Sequence, residues 1–101
     1  MPALIASFMR DCARREAEIA AAVEGKDLAS LELQSHALTS SAQTFGASAL
    51  ADLTRAIENA CRRDWAEDAF SRAAILPDVA AAARLAMMAQ SEHYASAGSD
   101  D

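Results

Sequence analysis

The sequence predicts an all-α protein, folded as an antiparallel up-down-up-down four-helix bundle. Alanine, the strongest helix former, contributes 27 of the 101 residues, whereas the strand former valine occurs only twice. Apolar residues recur at spacings of three, four and seven, which is the pattern of amphipathic helices. Short polar connections separate these helical segments, and short connections place consecutive helices side by side in opposite directions.

The first predicted helix runs from about Leu4 to Val23. One apolar stripe follows it, formed by Ile5, Phe8, Cys12, Ile19 and Val23. The next residues, 24–27, predict the end of this helix and the start of another. Gly25 suits the C′ position after the first helix, and Asp27 is a good N-cap for the second.

The second predicted helix runs from Leu28 to Phe45 and the third from Ala49 to Arg63. Gly46 is expected to close the second helix as a C′ glycine, and Ser48 to cap the third. Both helices have a stripe that should face the core. The second contributes Leu31, Ser35, Leu38, Ala42 and Phe45, and the third Leu50, Leu53, Ile57, Ala60 and Cys61.

The fourth predicted helix begins near Glu67 and contains a proline. Pro77 lacks a backbone N–H and clashes with the preceding turn, so it kinks the helix or ends it around Ile75. Helix resumes from Asp78 to about Tyr94. We therefore expect one bundle domain over residues 1–95 and a flexible acidic tail over residues 96–101.

Composition and charge argue against several classes of function. The net charge of −6 without a Lys/Arg cluster does not suit nucleic acid, whose phosphates dominate affinity, and no apolar run is long enough to span a membrane. The N-terminal residues lack the basic start of a signal peptide. Cys12 and Cys61 lie on helix stripes without the spacing of a disulfide framework, so we expect reduced core thiols in a cytoplasmic protein.

One polar face of the second helix has a distinct chemistry. His36 points about 140° away from the core direction, counting 100° per residue. Ser40 and Gln43 follow on the same face and Thr39 lies along its edge, with no Lys or Arg in the adjacent turn. A neutral imidazole is a nucleophile near pH 7. On position alone, however, an ordinary surface histidine is the better interpretation of His36.

The run HALTSSAQTFGA, residues 36–47, resembles the signature of histidine-containing phosphotransfer (HPt) domains, H-x-L-K-G-S-[AS]-x-x-x-G-[AL]. Similar segments surround it over about residues 4–64: Leu4 to Phe8, Gly25 to Asp27, Leu50 to Leu53 and Ala56 to Glu58. The positions that match the signature are His36, Leu38, Ser41, Ala42, Gly46 and Ala47.

The resemblance implies a phosphorelay intermediate that is a phosphocarrier and not an enzyme by itself. In such domains the exposed histidine, here His36, accepts a phosphoryl group from the aspartate of a receiver domain or returns it. The partners implied are receiver domains of response regulators or of hybrid histidine kinases. No cofactor is expected on this chain, because Mg²⁺ belongs to the receiver domain, and the protein is expected to be a monomer.

Two positions depart from the signature. The usual lysine three residues after the histidine is Thr39, and the usual glycine at the next position is Ser40. We expect Thr39, Ser40 and Gln43 to supply neutral hydrogen-bond donors to the phosphoryl group in place of the ammonium. The docking surface for the receiver is expected to include Ala29, Glu32 and Leu33.

Other functions find less support in the sequence. Loss of the lysine leaves open a phosphorylation-incompetent adaptor of HPt descent, in which His36 has no chemical role. A metal site would draw on His36, His93, Cys12 and Cys61, but no two of these have the spacing that builds a site on one helix. No catalytic triad and no glycine-rich phosphate loop is present, so the sequence does not indicate an enzyme.

Overall fold

The computed structural model describes residues 3–99, with side chains described for residues 3–89, and within that span every element is a helix. The prediction of an all-helical protein is therefore confirmed, and the four predicted helical segments form five helices. The additional helix arises because the predicted fourth segment is divided. The helices are α1 (Ala3–Glu24), α2 (Leu28–Thr44), α3 (Ser48–Arg62), α4 (Ala66–Ala74) and α5 (Leu76–Ser99).

The core forms where the predicted stripes of the helices meet. Most of the stripe residues are buried, and Ile5, Val23, Phe45 and Leu53 are partly buried around them. Phe8 of α1 packs against Phe45, with ring centroids 4.6 Å apart. Burial of these side chains drives the folding of the domain. The fully buried stripe residues include Cys12, Leu31, Ser35, Leu38, Ala42, Leu50 and Ile57.

Helices α2 and α3 pack against each other more extensively than any other pair. Residues later in α2 contact residues earlier in α3: Glu32 contacts Arg62, His36 contacts Glu58, and Thr39 contacts Thr54. The two helices are therefore antiparallel, and the histidine lies near the middle of their interface.

The connections after α1, α2 and α3 share one hydrogen-bond pattern. In each, a residue with positive φ sits at C′, and the amide of the next residue donates to the carbonyl five residues earlier in the chain. Gly46 occupies this position after α2, as predicted. After α1 the positive φ belongs to Lys26, so the prediction of Gly25 at C′ is wrong by one residue. Asp64 takes the place after α3.

The helix N-termini agree only in part with the sequence prediction. Asp27 caps α2 as expected, because its carboxylate accepts a hydrogen bond from the Ser30 amide at 3.1 Å. Hydrogen bonds from the Ser30 hydroxyl and amide lower the pKa of Asp27 below its ordinary value. Ser48 does not cap α3, because it is already the first helical residue and Ala47 holds the N-cap position without a side-chain bond.

Ile75 separates α4 from α5, and Pro77 lies in the first turn of α5. A proline is well accommodated there, since the first amides of a helix have no carbonyl partner within it. The ion pair between Glu16 and Arg84 joins α1 to α5. The predicted flexible tail, residues 96–101, overlaps the end of α5, and its last two residues lie outside the described residues.

Both cysteines are free and buried, as the sequence indicated. Burial, together with the nearby carboxylate of Glu16, raises the pKa of the Cys12 thiol to about 11. Burial also raises the pKa of the Cys61 thiol to about 11, with a further contribution from Glu32 and Glu58. Among the described helices, none combines the length and hydropathy that crossing a bilayer requires.

The strained turn after α1 gives a stability prediction. Lys26→Gly should raise the free energy of unfolding by about 1 kcal/mol, because glycine adopts the left-handed conformation without the steric penalty of a side chain. Denaturant-induced unfolding followed by circular dichroism measures the change. The control is Glu24→Gly, at the helical end of α1, which should lower stability instead. Equal effects of the two variants would contradict the assignment of the C′ position.

Candidate functional site

His36 projects from the middle of α2 with 63% of its side chain exposed, as its position relative to the core stripe predicted. Ser35 and Leu38, which lie just before and just after it in the sequence, are fully buried in the core. They fix the rotation of α2 about its axis, and so they hold the imidazole at the surface. The ring is consequently both accessible to a partner and attached to a rigid element.

A carboxylate from α3 binds the inner edge of this ring. Nδ1 of His36 lies 2.5 Å from Oε2 of Glu58, whose side chain is only 8% exposed. An ionised carboxylate has no proton to donate, so the hydrogen of this bond belongs to Nδ1. In the neutral ring Nε2 then has a free lone pair and faces away from Glu58. The arrangement leaves the outer nitrogen available as a nucleophile.

Glu58 was not predicted from the sequence as part of the site. Its segment matched the family only as part of a helix pattern, and its partner lies 22 residues earlier in the chain. The helical period gives no signal for it: counting 100° per residue, Glu58 lies about 100° from Ile57, outside the core stripe. Its burial follows from the packing of α2 against α3, and the pairing with His36 compensates a carboxylate that would otherwise be unfavourable to bury by several kcal/mol.

Arg62, one helical turn after Glu58, was also missed. Its Nη2 lies 3.7 Å from the same Oε2 atom that His36 contacts, and its Nε lies 3.4 Å from Oε2 of Glu32 on α2. The guanidinium therefore spans α3 and α2 next to the histidine. The absence of Lys or Arg from the adjacent turn of α2 is thus offset by a cation from the neighbouring helix.

The expectation that Thr39 lies along the edge of the His36 face is wrong. Thr39 is only 7% exposed. Its hydroxyl donates to the carbonyl of Ser35 at 2.8 Å and lies 2.6 Å from the hydroxyl of Thr54 on α3. Because α3 packs against this side of α2, the position is part of the interface between the helices. The hydroxyl of Thr39 is occupied there and does not face the site.

Ser40 and Gln43 lie where the sequence placed them, exposed on the face of His36. The Ser40 hydroxyl is 3.4 Å from the carbonyl of His36, a long contact that leaves it free to choose another acceptor. Gln43 lines a shallow depression together with Asp52 and Arg55 of α3. Their role toward a ligand stays a prediction.

The three residues predicted to dock a partner lie on the turns of α2 before the histidine. Ala29 is exposed, and Leu33 is among the most exposed large apolar side chains of the described residues. Glu32 is partly exposed and binds Arg62. An exposed leucine beside a reactive group is consistent with a surface that a partner covers.

The residues considered as metal ligands are not gathered in one place. Cys12 and Cys61 are buried in the core, whereas His36 points outward. Within the part of the chain whose side chains are described, no three His, Cys, Asp or Glu residues form a cluster that suits a metal ion. His93 lies outside the described side chains.

Comparison with known proteins identifies one family. A family model described as Hpt domain matches residues 3–92, which include α1 to α4, most of α5 and every residue of the site. No curated protein and no solved structure matches the chain. The family resemblance noted in the signature around His36 is therefore confirmed over nearly the whole chain.

The contact with Glu58 predicts the tautomer of His36. Replacing Glu58 by alanine should raise the ratio of the Nε2–H to the Nδ1–H tautomer about tenfold, because a hydrogen bond to a charged group contributes about 1.5 kcal/mol or more. Ring ¹⁵N chemical shifts, measured at a pH where the imidazole is neutral, report this ratio. Glu32→Ala serves as the control and should leave it unchanged. The same tautomer in all three proteins would contradict the assigned hydrogen bond.

Proposed function

Because the chain belongs to the Hpt domain family, we propose that it passes a phosphoryl group between His36 and the aspartates of receiver domains in a cytoplasmic phosphorelay. Membership of the family implies involvement in phosphotransfer in two-component systems, through a phosphocarrier module. The assignment of His36 as the acceptor, of receiver domains as its partners and of a shuttling role belongs to the proposal.

The observation that supports this function best is the contact between His36 and Glu58. The ring is exposed, yet its inner nitrogen is bound to a buried carboxylate. A surface histidine without a role needs no such partner. This combination of access and orientation is what an in-line phosphoryl transfer requires, since the reaction depends chiefly on positioning and on neutralisation of charge.

The chemical step follows from that geometry. The Nε2 lone pair attacks the phosphorus of an aspartyl phosphate, and the Nε2–P bond forms while the P–O bond to the aspartate breaks. The aspartate carboxylate leaves with the bonding pair. The proton on Nδ1 stays in its hydrogen bond, so the Glu58 carboxylate balances the positive charge that develops on the ring. In the reverse direction the same atoms exchange in the opposite order.

The partner supplies what this chain lacks. The receiver domain contributes the aspartate and the Mg²⁺ ion that neutralises the transferred group. Docking then depends on the exposed apolar area of Ala29 and Leu33, with Glu32 at its edge. The four-helix bundle topology, with α4 and α5 in series as its fourth member, serves to present this face.

Ser40 and Gln43 are proposed as neutral donors to the phosphoryl oxygens. Both are exposed on the face of His36, and neither side chain has a short hydrogen bond that it must give up. Thr39 is omitted from this role because its hydroxyl is bound in the interface with α3.

The proposed function predicts the outcome of phosphoryl transfer from a panel of phosphorylated receiver domains with Mg²⁺. The native protein should gain label that is labile in acid and stable in base, the behaviour of phosphohistidine, and His36→Gln should gain none. His36→Gln is the negative control because it lacks the nucleophile. We expect it to fold, since the side chain that it replaces is exposed. If every receiver binds but none transfers label to the native protein, the chain is a docking adaptor and the proposal is wrong.

A second prediction tests whether Ser40 and Gln43, and not the buried Thr39, donate hydrogen bonds to the phosphoryl group. The double variant Ser40→Ala/Gln43→Ala should transfer about tenfold more slowly, since each neutral hydrogen bond contributes about 0.5–1.5 kcal/mol. Thr39→Val should transfer at the native rate. Rapid-quench measurements with one receiver domain give both rates. A native rate in the double variant, or a slow one in Thr39→Val, would contradict the assigned placement.

A further inference from the structure

Phosphorylation of His36 adds charge to a site that is already acidic. A phosphoryl group brings about −1.5 to −2 charge at neutral pH. Glu58 lies 2.5 Å from the ring, and Glu32 lies one turn earlier on the same helix. The signature lysine that would offset this charge is absent, and Thr39 in its place is buried. The nearest balancing cation must therefore come from a different helix.

Arg62 is linked to the His36 ring through the carboxylate of Glu58. Its Nη2 and the His36 ring share one oxygen of Glu58, at 3.7 Å and 2.5 Å. Its side chain is 54% exposed, so the guanidinium lies at the solvent-facing edge of the interface, as the His36 ring does. The group is thus beside the histidine and open to the same side.

The present contacts of Arg62 leave its guanidinium free to shift. The distances to Glu58 and Glu32, 3.7 Å and 3.4 Å, exceed the 2.7–2.9 Å or so that is typical of charge-assisted hydrogen bonds. A guanidinium has five N–H donors in a planar fork that matches phosphate geometry. Most of these donors remain available to phosphoryl oxygens.

Arg55 is the other arginine of α3 near this face, and its direction is unsuitable. Side chains on a helix lean toward its N-terminus. Arg62 therefore leans toward Glu58 and the histidine, as its contact shows. Arg55 leans toward Asp52, 3.9 Å away and farther from His36 along α3. The two arginines lie on the same helix and carry the same charge, but only Arg62 leans toward His36.

We propose that Arg62 is the cation that binds the phosphoryl group on Nε2 of His36, in the role of the missing lysine. The guanidinium moves from its weak contacts with Glu58 and Glu32 to the phosphoryl oxygens while the hydrogen bond between Nδ1 and Glu58 is kept. This inference rests on the proposed function in assuming that His36 is the phosphorylated residue, but it can be tested without a receiver domain.

The test uses phosphoramidate, a small phosphoryl donor, on the full chain. Nε2 displaces the amino group from phosphorus: the Nε2–P bond forms, the P–N bond of the donor breaks, and ammonia leaves. ³¹P NMR then follows the second ionisation of the bound phosphoryl group as the pH is varied. His36→Gln identifies the resonance that belongs to His36.

A bound cation favours the dianion and lowers the pKa of the phosphoryl group. Arg62→Gln should therefore decrease its ionisation constant about fivefold, the change that one unit charge at 4 Å produces even in bulk water. Arg62→Lys keeps the charge and should restore most of the constant. Arg55→Gln, the matched control, should change it by less than about twofold because salt screens distant charges.

The outcomes separate this inference from the proposed function. Equal constants in Arg62→Gln and Arg55→Gln would overturn the role of Arg62, even if receiver domains label His36. The expected difference between them, without label from any receiver, would support Arg62 and contradict the relay. Failure of phosphoramidate to modify His36 would overturn both, since an exposed nucleophile must react.

Discussion

The hydrogen bond between His36 and Glu58 is the interaction on which the rest of the site depends. It crosses from α2 to α3, so it requires the antiparallel register of these helices, and in return it gives the imidazole one orientation. It also determines which nitrogen has the lone pair. The buried carboxylate in turn brings Arg62 toward the ring. Orientation, tautomer and nearby charge all follow from this one contact.

The frame that supports the contact is formed by packing and by the turns. Leu38 and Ser35 anchor one side of α2 in the core, and Thr39 bonds to Thr54 in the interface with α3. The turn at Gly46 reverses the direction of the chain. Helix α3 therefore returns alongside α2, and Glu58 comes to lie next to His36. A rigid support of this kind suits the proposed carrier role, in which the receiver domain would contribute the metal and the aspartate while the histidine stays in place.

The sequence predicts most of the fold and only part of the site. Helical period and turn residues locate the helices, and the position of His36 outside the stripe predicts its exposure. Such rules describe one helix at a time. Thr39 is buried because α3 covers it, and Glu58 and Arg62 reach the histidine because of the register between two helices. Neither fact is contained in the periodicity of a single segment, so these residues required the structure.

The position of the phosphorus on the His36 ring is the most direct test of the proposed mechanism. The protein, labelled with ¹⁵N in histidine, is phosphorylated by a receiver domain, and long-range ¹H–¹⁵N correlations of His36 are recorded with ³¹P coupling. We expect phosphorus on Nε2 and the proton still on Nδ1, as the bond to Glu58 requires. Phosphorus on Nδ1, or on a residue other than His36, would contradict the central claim that Glu58 prepares the outer nitrogen for transfer.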